Sequence, residues 1–71
     1  MPVIITTQEL SLLRMTAEGV EVEEMERAEK ISKKEIDARL KTVYKKLKTR
    51  NPLEALQVLA QTEFKVVDLE P

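Results

Sequence analysis

Lys34, Lys41, Lys45 and Lys48 recur at spacings of seven, four and three, which puts them on one side of an α-helix. Lys33 and Arg50 extend the row at its two ends. A row of fixed cations does non-covalent chemistry: it neutralises a polyanion and releases the counterions condensed on it. The plain alternative is a surface helix kept in solution by its charges, since polar residues occupy the outer face of most such helices. Other chemistry-bearing groups are scarce. His and Cys are absent, so there is no imidazole base, no thiolate nucleophile, no disulfide and no thiolate metal site. The one glycine, Gly19, falls where a helix should stop, and no pair of carboxylates has an evident pocket around it. Catalysis is therefore not expected, nor is a metal or a cofactor.

The lysines lie on residues 31–47, ISKKEIDARLKTVYKKL, which contain neither Gly nor Pro. Ser32 followed by Glu35 is a capping box: the hydroxyl accepts from the Glu35 N–H and the carboxylate reaches back to the Ser32 N–H. Ile36, Leu40, Val43 and Leu47 then form one apolar stripe opposite the lysines. Thr6 and Glu9 make a similar box ahead of Leu10, Leu13 and Ala17, flanked by Leu12 and Met15, and Gly19 supplies the left-handed residue that ends that helix. Residues 20–30 are acidic, with Val22, Met25 and Ala28 as a weak stripe and Glu residues suited to a helix N-terminus. Asn51 and Pro52 open a last helix, as N-cap and first helical residue.

These signals predict an all-α, four-helix domain with helices at about 7–18, 21–29, 33–48 and 52–61. Residues 1–71 form a single domain, with a core at 6–61, a short apolar N-terminal arm and an extended C-terminal tail. A chain of 71 residues is marginal alone, since a domain near that size buries only about 60% of its unfolded surface. Oligomerisation is the common remedy when disulfides and metals are unavailable. The last helix has apolar residues on more than one side, and Ala55, Val58 and Leu59 are the candidate dimer interface. Net charge is −1. Its distribution is uneven: residues 27–50 hold ten Lys and Arg against three acids, while both flanks are acidic. No apolar run approaches the roughly 20 residues of a membrane span, and no signal-peptide pattern is present, so the expected location is the cytoplasm, away from membranes.

The ordered fragments AEG at 17–19, IS at 31–32, VYKKL at 43–47 and RNPLEAL at 50–56 resemble the LuxR/GerE-type helix-turn-helix domain, with that family's spacing, over residues 6–61. Region 4 of bacterial sigma factors shares the broad layout. The resemblance implies that the second and third helices form the helix-turn-helix and that the third lies in the major groove of duplex DNA. Carried over by position, and joined to the exposed side of the periodicity, it implies contacts from Ser32, Lys33, Lys34, Asp37, Ala38, Lys41, Lys45 and Arg50. It also implies a homodimer through the fourth helix. The chain departs from the family pattern at Glu35, Asp37 and Arg39, where the family usually carries Thr, Lys and His. Glu21-Val22-Glu23-Glu24 stands where Ser-Asn-Lys-Glu is usual. A carboxylate near a DNA backbone adds repulsion, although Asp37 can accept from a cytosine amino group.

Two functions follow as expectations. One is a small DNA-binding transcriptional regulator acting as a homodimer. The other is a non-catalytic interaction module on the same scaffold, binding part of the transcription machinery or another regulator through the acidic second helix or the C-terminal tail.

Overall fold

Four helices form, three of them opened by the side-chain caps Thr6, Ser32 and Asn51. In the computed structural model, which describes residues 2–68, the order is β1 (Val3–Thr6), α1 (Thr7–Ala17), α2 (Val22–Glu29), α3 (Lys33–Leu47), α4 (Pro52–Ala60) and β2 (Phe64–Val67). Each helix lies within a residue or so of its expected span. The sheet is the departure from an all-α domain. β1 and β2 pair in parallel, with Val3 opposite Phe64 and Thr6 opposite Val67. The N-terminal arm and the tail are thus one element, and the helices are its crossover. Neither run alternates cleanly between apolar and polar residues, so neither announced its partner 61 positions away. The end of the tail, residues 69–71, lies outside the described residues, as does Met1.

The caps account for the helix ends. Thr6 and Glu9 exchange both bonds of the capping box, at 3.0 Å and 2.9 Å. Gly19 sits at φ +81, where the Val20 N–H donates to the Met15 carbonyl at 3.0 Å and the Gly19 N–H to that of Thr16 at 3.2 Å. Those two bonds are a Schellman stop. Asn51 accepts from the Glu54 N–H at 2.8 Å with Pro52 in the first turn. The Ser32 box forms only in half. Its hydroxyl accepts from the Glu35 N–H at 3.2 Å, but the Glu35 carboxylate lies 4.0 Å from Arg39 one turn on.

The core is built from all four helices and β1: Ile5, Leu12, Leu13, Ile36 and Val43 are sealed from solvent, with Met25, Leu40 and Leu47 around them. In α1 the inward face is Glu9, Leu12 and Leu13, rather than Leu10, Leu13 and Ala17. A carboxylate faces the interior, 6% exposed at the side chain, because one of its oxygens is doubly partnered. Its Oε1 accepts from the Thr6 N–H at 2.9 Å and from Lys46 Nζ at 2.8 Å. Lys46 also donates to the Ile4 carbonyl at 3.0 Å. One lysine near the end of α3 therefore holds β1 and the start of α1.

Ala55 and Leu59, expected at a dimer interface, are core residues of the domain itself, at 0% and 3% exposure. They cannot serve a partner without opening the core. Val58 is half-buried, and the exposed side of α4 presents Leu53, Gln57 and Ala60. The periodicity located the apolar surplus but not which side of the helix the rest of the domain would cover.

Two stability outcomes follow. Lys46→Met should lower stability by about 1–3 kcal/mol, below the range for a fully buried pair because Lys46 is partly exposed. Thermal denaturation should show this as a fall in Tm of roughly 4–8 °C per kcal/mol. Thr49 is buried with a hydroxyl that has no partner among the described residues. Thr49→Val, which replaces that hydroxyl by a methyl group, should raise stability by about 1 kcal/mol in urea titration.

Candidate nucleic-acid interface

The amphipathic pattern of α3 is set by its buried stripe. Ile36, Leu40, Val43 and Leu47 turn inward, and the helix has no other way to face. Lys33, Lys34, Asp37, Ala38, Lys41, Thr42, Lys45 and Lys48 are consequently all exposed. Ser32 lies at the N-cap and Arg50 just beyond the helix, both exposed. The eight residues singled out from the sequence thus share one accessible surface, with Lys48 and Thr42 completing it. Ser32 accepts a cap bond, and the proton of its hydroxyl has no acceptor among the described residues.

The charges on this surface are graded along the helix. Lys33 and Lys34 stand in the first turn with Glu35 and Asp37 close behind them, and Lys41, Lys45 and Lys48 occupy the second half. Lys46 belongs to the other side of the helix, spent on Glu9 and Ile4. Arg39 is also turned away. It is half-buried, faces a polar groove of about 770 Å³ shared with Ser11 and Glu29, and its Nε has no partner among the described residues. Burial raises the pKa of Tyr44 above the ordinary 10.0, consistent with a ring packed at the edge of the core.

α2 leads into this surface through a tight turn. Met25 anchors it to the core, and Glu29 accepts from the Ser11 hydroxyl at 3.1 Å. Glu21, Glu23 and Glu24 are exposed at its N-terminal end, where the helix dipole favours anions. Lys30 closes α2 at φ 58, and Lys48 closes α3 at φ 56. At the second of these the Thr49 N–H donates to the Tyr44 carbonyl at 3.0 Å, a Schellman stop with lysine in the residue position that glycine fills most easily. The sequence held no sign of these two left-handed lysines, because the usual marker of such a position is glycine.

Such a surface can do electrostatic work on an extended anion: a rigid helix carries cations on its outward side, while its other cations are held by the fold. Sequence comparison gives the geometry its context. The family of bacterial regulatory proteins of the luxR type matches residues 3–60, all four helices included. Searches of curated proteins and of solved structures return no match.

Replacing Lys48 by glycine removes the left-handed strain. Lys48→Gly should therefore raise stability by about 1 kcal/mol, measured by urea titration, whatever it does to binding.

Proposed function

Because the chain belongs to the luxR family of bacterial regulatory proteins, a family of DNA-binding transcription regulators, we propose that it binds duplex DNA as a homodimer in the cytoplasm, with α3 in the major groove. The observation that supports this most directly is the shared exposure of Ser32, Lys33, Lys34, Asp37, Ala38, Lys41, Lys45 and Arg50 on or beside one helix. Lys33, Lys34, Lys41, Lys45 and Arg50 contact phosphates or base edges, and Ser32 donates to a phosphate from the N-cap. Asp37 and Ala38 face the base edges between the lysines. Asp37 accepts from a cytosine amino group, and Ala38 leaves room for a thymine methyl. No catalytic step, metal or cofactor enters this reading. The part played by the protein is position and charge. No helix among the described residues is long and apolar enough to cross a membrane.

The exposed carboxylates Glu21, Glu23 and Glu24 favour a second reading, in which α2 docks on a basic surface of the transcription machinery or of another regulator. The C-terminal tail is the other candidate surface for such a partner. Like the first, this reading is non-catalytic.

Fluorescence anisotropy on random duplex DNA separates the two. Under the first reading, affinity falls steeply as salt rises, because each neutralised phosphate releases counterions. Changing Lys34, Lys41 or Lys45 singly to Gln should weaken binding and reduce the slope of log K against log salt by about 1 each. Absence of binding by the wild-type protein at low salt would sink the DNA reading and leave the acidic helix as the interaction surface.

A further inference from the structure

β2 lies outside the 3–60 match to the family, yet it is paired and carries exposed apolar side chains. Phe64 is 40% exposed and Val66 41%. Two-stranded parallel ribbons are poor structures alone: parallel sheets are ordinarily covered on both faces, and three or more strands are needed for independent stability. The two outer edges of this ribbon are not alike. The Val3 N–H donates to the Glu63 carbonyl at 3.0 Å, and the register sets Val3 opposite Phe64. Ladder alternation then points the amides of Val3 and Ile5 towards β2, and those of Glu63, Lys65 and Val67 towards β1. The outward groups of β1 belong to Ile4 and Thr6, and the fold occupies one group of each. Lys46 donates to the Ile4 carbonyl at 3.0 Å, and the Thr6 N–H donates to Glu9 at 2.9 Å. The outward groups of β2 belong to Phe64 and Val66, and these have no partner among the described residues. One edge is partly occupied by the fold and the other is open.

The open edge is complementary to itself. Glu63 and Lys65 flank Phe64, are both exposed, and lie on the opposite face of the strand from it. If two such edges meet antiparallel about a two-fold axis at Phe64, the two Phe64 residues exchange backbone bonds. Each Glu63 then stands directly opposite the partner's Lys65 in the closer, non-hydrogen-bonded pair. A lone lysine on a short edge strand discourages pairing with other chains. Here a carboxylate two residues earlier turns that charge into half of a symmetric match. We propose that the open edge of β2 pairs with the same edge of a second copy of this chain, making a four-stranded sheet β1-β2-β2-β1 with paired charges of Glu63 and Lys65 across the axis. This rests on the homodimer part of the function proposed above and not on DNA binding. It moves the two-fold from α4, where Ala55 and Leu59 are core, to β2.

Charge exchange on the intact chain tests it, because both side chains are exposed and neither belongs to the core. Sedimentation across micromolar to submillimolar concentrations should show a dimer for the wild type. Glu63→Lys alone sets Lys against Lys, and Lys65→Glu alone sets Glu against Glu. Each should raise the dimer dissociation constant by about tenfold or more. The double exchange E63K/K65E restores opposite charges and should bring dimerisation back to near the wild-type level. A wild type that stays monomeric throughout overturns the proposal, as do single variants that dimerise like the wild type or a double exchange without recovery. DNA binding is read on the same samples. Salt-sensitive binding by a monomer leaves the DNA reading standing while this inference fails. A charge-dependent dimer without DNA affinity does the reverse.

Discussion

The fold turns on a buried carboxylate. Glu9 caps α1, and the same oxygen that accepts from the Thr6 N–H accepts from Lys46, which also holds the Ile4 carbonyl. Burying a carboxylate is costly unless it is partnered, and here the partners come from β1 and α3, so that the contact joins both to α1. The result is a junction that fixes where β1 ends and where α1 begins, and that agrees with the rotation of α3 set by its buried stripe of Ile36, Leu40, Val43 and Leu47. That rotation decides which lysines face outward. Lys45 and Lys46 are neighbours of the same type, and the helix turns one onto Glu9 and leaves the other facing solvent.

Where the lysines stand is a second constraint. Lys33 and Lys34 occupy the first turn of α3, where the helix dipole opposes cations by roughly 0.3–1 kcal/mol each at exposed sites. Lys30 and Lys48 hold left-handed backbone that costs a residue with a side chain about 1 kcal/mol more than glycine. Four cations thus sit where backbone physics disfavours them, three at the turn between α2 and α3 and one at the end of α3. Capping and propensity alone would place glycine at 30 and 48 and acids or neutral residues at 33 and 34. A surface selected only for solubility has no reason to prefer these sites over the many exposed positions without cost.

Much of this was legible in the residues. Caps and stops carry short-range signals, so Thr6, Gly19, Ser32 and Asn51 located the helices to within a residue or so. The stripe Ile36, Leu40, Val43 and Leu47 was read correctly because every member is apolar. The expected face of α1 shares Leu13 with the observed one but is turned by about a quarter turn, since the inward face includes Glu9, and a polar residue is discounted by any apolar pattern. The β1–β2 pair was missed because its signal is not local: VIIT and FKVV are short, weakly patterned and separated by the whole helical domain. The same limit explains α4. Periodicity showed more apolar residues than one face needs, but only tertiary packing decides that Ala55 and Leu59 go inward and Leu53 outward.

The carboxylates of α3 bear on what kind of reader this surface can be. Glu35 lies within 4.0 Å of Arg39, on the flank of the helix towards α1, so part of its charge is answered before any DNA arrives. Both side chains are substantially exposed, and the pair adds little to stability. Its effect is on the field at the N-terminal end of α3, where the repulsion of a phosphate is reduced. Asp37 is different: it is exposed on the outward face between Lys34 and Lys41, and no cation holds it among the described residues. Against the phosphate backbone it lowers affinity for every sequence alike, whereas against a cytosine amino group it gains a bond that other bases withhold. In the DNA complex proposed above, one carboxylate among several lysines would exchange general affinity for discrimination, and Lys41, Lys45 and Lys48 in the second half of the helix would supply the attraction that offsets it.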